Sequence, residues 1–532
     1  QGATAGAPSE RRSASAMAVG TVLSRLTGFA RQVVLLSVLG VTQLGDAFNT
    51  ANTVPNMLLF LVTGGTVSAV LIPMLARQDD VAKRRHDAET IGGLIVLLTA
   101  TASILMLVTA PLVARLFALE VSQDHDAFVR VTTQWLALFS PQILFYGLSV
   151  YAVAVLNAHG RLALAGFAPI ATNAVAIAAA LAYVRVGAPN PPQLTALGLT
   201  PLVVLGVGTT LSVAAMAIPQ MLGARRVLPG LRLRPRVRLR DPATLKLWHL
   251  GRWTLVYVAV NQVGLTVVVT LANGISQGAT IAYQTAFAIM QLPFAIVAVS
   301  LFSAIYPRLS RAASQSGGLF GATVSGGLRL ANALLIPAAV GLVVLAQPVG
   351  ELLVSGGPGQ GTGTRLLTVA IAWFGVALIP FTVFQLLTRS YYAFPDTRTP
   401  ALVNIAVNVV NVGAALLAFA VFADPATRLA GLVVAYGMSY VTGCACLGVG
   451  LLRRRPGSFA GALRGTATAL LASGVMAAVL LAGARAWSGA AGPLPQLLRT
   501  GALVAAGGGV YLAVAWLLRS PELAELAKVR RR

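Results

Sequence analysis

Apolar runs of about 20 residues or more recur from the start of this chain to its end, each cut from the next by a short polar loop. A helix needs roughly 20 consecutive apolar residues to cross the hydrocarbon core of a bilayer. It must be a helix or a closed barrel, because lipid offers no partner to free backbone groups. The runs predict an all-α integral membrane fold of fourteen transmembrane helices. They cover approximately 16–40, 47–76, 90–118, 127–157, 162–185, 197–222, 248–273, 279–307, 326–354, 365–394, 399–423, 428–452, 463–487 and 498–519. Pro55 with Gly64–Gly65 interrupts the second run and Pro293 the eighth. Both helices are expected to bend there.

Basic residues set the orientation of such a chain. The loop after span 2 carries Arg77, Lys83, Arg84 and Arg85. The loop after span 6 carries Arg225, Arg226, Arg232, Arg234, Arg236, Arg238, Arg240 and Lys246. Arg308 and Arg311 follow span 8, and Arg453, Arg454, Arg455 and Arg464 follow span 12. Loops after odd-numbered spans are poor in base. The even loops and both termini are therefore expected in the cytoplasm. This divides the chain into an N-terminal tail (1–15), a first six-helix lobe (16–222), a basic linker (223–247), a second lobe (248–455), two further helices (456–520) and a basic tail (521–532).

A weak internal repeat supports the two lobes. Pro169 and Asn173 open span 5 as Pro400 and Asn404 open span 11, and Ile72–Pro73 closes span 2 as Tyr306–Pro307 closes span 8. Both offsets equal about six spans. An even number keeps sidedness, so the lobes are expected to be parallel repeats about an axis normal to the membrane.

Composition agrees with a membrane protein. Charged residues make up 10% of the chain, against about 25% in soluble domains. Mean hydropathy is +0.79. The net charge of +24 sits in loops, where it orients the protein and meets anionic head groups. No basic surface domain exists to carry nucleic acid. Cys444 and Cys446 lie two residues apart in one span, about 200° apart on a helix, so they form neither a disulfide nor a metal pair. His86, His125, His159 and His249 are scattered. No metal-ligand spacing and no catalytic motif is present. The chain reads as a non-enzyme without metal or cofactor.

Two arginines carry the functional signal. Arg25 and Arg31 lie inside the first span. An arginine near the bilayer centre costs about 2.5–3.5 kcal/mol on the insertion scale and is kept where it meets a wet cavity or an anion. The alternative is snorkelling to the interface, which suits Arg25 less well because it lies a third of the way in. Six residues apart, the two side chains are turned about 120° from each other.

The stretch Ser24-Arg25-Leu26-Thr27-Gly28-Phe29-Ala30-Arg31 resembles the first-helix signature of the MurJ (MviN) family, the lipid II flippases of the MOP exporter superfamily. Gly45-Asp46-Ala47-Phe48, Val54-Pro55-Asn56, Leu156-Asn157 with Arg161, Phe167-Ala168-Pro169 and Asp396-Thr397-Arg398-Thr399-Pro400 are similar to further family segments. The resemblance covers about residues 16–455. It implies two six-helix lobes around a cationic central cavity, and a groove at helices 13 and 14 for a polyprenyl tail. The implied substrate is lipid II, a polyprenyl pyrophosphate glycolipid moved from the inner to the outer leaflet of the bacterial plasma membrane. Anionic lipids and cell-wall synthesis proteins are the other implied partners. The resemblance carries over Arg25, Arg31 and Asp46 as cavity residues, with Ser24 and Asn56 beside them in the substrate-binding set. One arginine is expected to meet the pyrophosphate and the other to be held by Asp46. Gly28, Pro55 and Pro293 are the expected hinge and gating positions.

Some family features are missing. No base follows Pro55-Asn56, where Leu58, Leu59 and Phe60 stand. Ala288 and Gln291 replace the charged pair before the helix-8 proline. Asn261, Asn404, Asn408 and Asn411 lie where some members bind sodium through carboxylates. Two other readings remain: a flippase for a different polyprenyl-linked glycan, and a non-transporting membrane scaffold for cell-wall enzymes. The second has no use for costly intramembrane arginines.

Overall fold

The computed structural model describes residues 7–63, 80–233, 242–313, 318–355, 361–394, 396–487 and 492–520. Gly64–Gly65, Ile72–Pro73, Arg234 to Arg240 and the basic tail from 521 lie outside the described residues. Among the described residues every regular element is helical, and thirteen stretches are long and apolar enough to cross a membrane. The fourteenth expected span begins in α2 (Gln43–Thr63). Its described part is amphipathic: Gln43, Asp46, Asn49, Thr50, Asn52, Thr53 and Asn56 recur at helical spacing.

By Cα proximity the chain forms two units, Gln1–Gly274 and Ile275–Arg532. The first holds α1 (Ala7–Leu39), α2, α3 (Val81–Phe117), α4 (His125–Phe139), α5 (Gln142–Ala158), α6 (Leu162–Arg185), α7 (Leu199–Val227) and nearly all of α8 (Pro242–Ile275). The expected linker at 223–247 is thus not where the units divide. The end of α8 is tied to the first unit by Asn273, whose Nδ2 donates to the Phe117 carbonyl at 3.0 Å and to Thr50 Oγ1 at 3.1 Å.

Span 4 is not one helix. It breaks into α4 and α5 at Ser140–Pro141. Pro141 has no N–H to give the Ala137 carbonyl. Ser140 fills that vacancy, its Oγ donating to Ala137 O at 2.9 Å. In the unit's core the Phe48 ring stands edge-on to Trp135 (5.3 Å) and Phe139 (5.7 Å). The Trp135 indole N–H donates to the Leu202 carbonyl at 3.2 Å.

The second unit holds α9 (Ala279–Pro293), a π-helical turn (Phe294–Ala298), α10 (Val299–Ala313), α11 (Leu319–Val344), α12 (Ala346–Val354), α13 (Thr362–Tyr392), α14 (Arg398–Val421), α15 (Pro425–Arg454), α16 (Ala462–Ala486) and α17 (Pro493–Leu517). The π-helical turn follows Pro293 directly, so the eighth span is irregular where its proline frees a carbonyl. Span 9 is divided at Leu345 into α11 and α12. Helix α13 lies at the centre, packed on α9, α11, α12 and α15. Its Phe374 and Phe381 join Tyr283, Phe287, Tyr436 and Tyr440 in a chain of edge-to-face rings. Helix α16 packs on α11, and α17 on α16 and α12.

The two units share an internal packing order. In the first, α2 packs on α4, α3 on α4 and α5, α5 on α7, and α6 on α7. In the second, α9 packs on α13, α11 on α13, α13 on α15, and α14 on α15. Spans 2 to 6 and spans 8 to 12 therefore follow the same scheme.

Candidate substrate site

Helix α1 lies against α6 through a stripe of small residues at Gly20, Ser24, Thr27 and Gly28. A Cβ at Gly20 would stand 2.9 Å from the Gly166 backbone carbon, so only glycine permits this approach. Asn173 on α6 closes the seam. Its Nδ2 donates to the Ser24 carbonyl at 3.1 Å and to Thr27 Oγ1 at 2.9 Å. Close approach of small residues with a polar bond across it is how helices pair in lipid. Ser24 and Gly28 thus sit at a helix seam, and α1 runs unbroken through Gly28.

Arg31 continues the stripe, one turn beyond Thr27. Its guanidinium enters the interior of the first unit, where it lines a cavity of about 130 Å³. The other walls are Asn52, Asn56 and Phe48 from α2, Tyr146 from α5, Ala176 from α6, and Thr209, Ser212 and Val213 from α7, with Leu35 of α1. Asn56 and the Tyr146 hydroxyl share a hydrogen bond. Thr209 and Ser212 hydroxyls donate to carbonyls of their own helix, Leu205 O at 2.7 Å and Thr209 O at 2.6 Å. Their lone pairs remain for the cavity. Arg31 Nε is buried without a hydrogen-bond partner. Among the described residues no carboxylate lines the cavity. A cation held this way in a membrane needs water or an anion beside it. Pockets for drug-sized ligands run from about 300 Å³, so this one takes several waters or a small ion and not a glycolipid head.

Arg25 lies on another face. It is exposed, as are Val22, Leu26 and Ala30 around it. The 120° turn read from the sequence thus separates one arginine inside the unit from one on its uncovered face. Asp46 is buried in the first turn of α2 and does not line the Arg31 cavity. Of the expected substrate residues, the structure brings together only Arg31 and Asn56. Tyr146, Asn52, Thr209 and Ser212 were not singled out from the sequence. A polar residue inside an apolar span was the available signal for them.

A second cavity lies in the other unit. It is apolar, about 420 Å³, and bounded by α11, α16 and α17, with Pro293 at one wall. Leu334, Leu342, Met476, Val504 and Leu512 line it, and Gly507 and Gly508 keep its α17 side low.

The family model of the lipid II flippase MurJ matches residues 35–498. This chain belongs to the MurJ family. It is 28% identical over 442 residues to the lipid II flippase MurJ of Burkholderia cenocepacia, covering 82% of each chain. It is 28% identical over 414 residues to the probable lipid II flippase MurJ of Haemophilus influenzae, covering 75% of this chain and 79% of that one. The Thermotoga maritima relative is 24% identical over 521 residues, 96% of this chain and 98% of that protein. Among solved structures, a lipid II flippase MurJ in an inward closed conformation superposes with a TM-score of 0.75 over 94% of this chain and 98% of that chain, at 18% identity. An inward-facing MATE multidrug transporter of the MOP superfamily reaches 0.64 at 14% identity, covering 81% of this chain and 96% of that one. The MurJ fold thus covers 94% of this chain.

Proposed function

We propose that this chain is a lipid II flippase of the bacterial plasma membrane. It moves the polyprenyl-pyrophosphate-linked peptidoglycan precursor from the inner to the outer leaflet by alternating access, with both termini in the cytoplasm. The observation that carries this reading is Arg25, a cation on the uncovered face of a membrane helix, with the apolar Val22, Leu26 and Ala30 exposed around it. Such a residue is costly in lipid and useful to an anion in transit. The guanidinium fork suits a pyrophosphate through paired charge-assisted hydrogen bonds. Arg31, with Asn56 and Tyr146 around it, ties α1 to the interior of the first unit. Asp46 anchors the start of α2, where a carboxylate meets the positive end of the helix dipole. The apolar groove of α11, α16 and α17 receives the isoprenoid tail.

Complementation of cells depleted of their lipid II flippase tests the activity. Rescue by the wild type and loss with Arg25→Ala are expected. Failure of the wild type to rescue, with the protein inserted in the membrane, would favour the scaffold reading. Cysteine placed at Gln277 should be labelled from outside the cell, and labelling only from within would reverse the proposed orientation.

A further inference from the structure

One end of the apolar groove is polar, and three of the buried polar atoms there have no hydrogen-bond partner. On α17 the groove wall includes Val504, Gly507 and Tyr511. One helical stripe continues from them towards the start of the helix through Thr500 and Gln496, at spacings of three and four residues. Thr500 is 7% exposed, and its Oγ1 has no hydrogen-bond partner. Gln496 Oε1 is likewise buried and unpartnered. Arg499 stands between them, 8% exposed. Its Nη1 reaches Glu351 Oε2 of α12 at 3.3 Å and its Nη2 donates to the Ala484 carbonyl of α16 at 3.0 Å. Its Nε is buried with nothing to receive it. Glu351 is held from the other side by Gln347, whose Nε2 donates to Oε1 at 2.8 Å.

A structural staple would satisfy these groups, because an unpaired buried donor costs about 1–3 kcal/mol. Three adjacent residues here keep unpaired polar atoms, and two of them are donors. Donors of this kind, beside a guanidinium and above an apolar trough, fit an anion that carries a hydrocarbon chain. Phosphate is the suitable anion, since it can accept from Arg Nε, a guanidinium nitrogen and a hydroxyl together.

We propose that Arg499 and Thr500 form a collar for the phosphate of an isoprenoid lipid whose tail lies in the groove. Glu351 holds Arg499 in place and gives way when the phosphate arrives. The reading deepens the groove assignment above and rests on the proposed orientation, which puts the start of α17 at the outer face. The collar then serves a lipid whose head is already in the outer leaflet.

Binding to the purified full-length protein tests this, with geranylgeranyl phosphate, geranylgeraniol, inorganic phosphate and phosphatidylglycerol as probes. Geranylgeranyl phosphate should bind about tenfold tighter than the alcohol. Arg499→Gln should bring that ratio close to one while leaving the affinity for the alcohol unchanged. Thr500→Val, which keeps the ion pair, should lower the ratio in part. Glu351→Gln should raise it, because the competing carboxylate is gone. An unchanged ratio in Arg499→Gln and Thr500→Val overturns the collar. So does a ratio lowered by Glu351→Gln as by Arg499→Gln, the behaviour of a staple. Inorganic phosphate or phosphatidylglycerol binding as tightly as the isoprenoid phosphate also overturns it. If the alcohol fails to bind at all, the groove assignment itself falls, a result distinct from loss of the collar.

Discussion

The Tyr511 hydroxyl donates to the carbonyl of Ala333, across the floor of the apolar groove. The reason lies four residues further along α11, at Pro337. Proline has no N–H, so the helix cannot satisfy the carbonyl of residue i−4. In lipid no water replaces the missing donor. A side chain from α17 supplies it, and the repair binds α17 to α11. Tyr511 belongs to the buried apolar cluster that also holds Leu345, Met476, Leu480 and Leu503.

Tyr511→Phe should therefore lower stability by about 1 kcal/mol, the scale of a polar bond between membrane helices. In a Pro337→Ala background the same change should cost much less, since alanine at that position restores the N–H. Thermal unfolding of the four proteins in detergent measures the coupling. Equal losses in both backgrounds would show that the bond does not serve the proline.

The bilayer explains what was legible in the sequence. Span length and span number follow from its thickness, so the boundaries at 162–185, 399–423 and 463–487 match α6, α14 and α16 within a few residues. The divergence of Arg25 and Arg31 follows from 100° per residue. Long-range pairs leave no local trace. Arg499 and Glu351 are 148 residues apart, and Tyr146 reaches the Arg31 cavity from a helix that joins α1 only through the fold. The division of span 4 turns on one carbonyl at Ala137, which periodicity alone does not reveal.

The two arginines should fail in different ways. Arg25 is exposed, so Arg25→Ala should keep the thermal midpoint and lose on the order of tenfold in flipping rate, equivalent to about 1.4 kcal/mol. Arg25→Lys should be impaired as well, because an ammonium cannot reproduce the bidentate fork. Arg31→Ala empties a side of the inner cavity and should lower the midpoint along with the rate. A vesicle flipping assay beside unfolding curves separates the two. Wild-type flipping in both alanine variants would remove the arginines from the mechanism.

The α1–α6 seam depends on the missing side chain at Gly20. Backbone atoms of Gly166 lie where a Cβ would go, and backbone does not yield as a flexible side chain does. Gly20→Val should push α1 off α6, break the Asn173 bonds to Ser24 and Thr27, and destabilise by about 1–3 kcal/mol. Asn173→Ala should cost less, about 1 kcal/mol. Unfolding midpoints give the order, and a Gly20→Val protein as stable as the wild type would mean that the helices do not meet so closely.

The last prediction concerns Asp396, in the turn between α13 and α14. Burial tends to raise its carboxyl above the usual range. The Thr399 backbone N–H at 2.9 Å, the Thr399 hydroxyl at 2.8 Å and the Arg454 guanidinium at 2.8 Å overcome this and hold it below that range. Arg454 also stacks over the Tyr391 ring, 5.0 Å from its centre, so the carboxylate joins the end of α15 to the α13–α14 turn. A group whose carboxyl is depressed on folding adds stability above its unfolded value of about 4 and loses it as the pH falls through the folded value. Asp396→Asn should thus lower the unfolding midpoint at pH 7 by a small amount, since the pair is partly exposed to solvent and screened. The difference from wild type should shrink as the pH drops below about 4, and high salt at pH 7 should reduce it too. A difference that stays constant between pH 7 and pH 3 would show that the turn is held by its shape and not by the charge of Asp396.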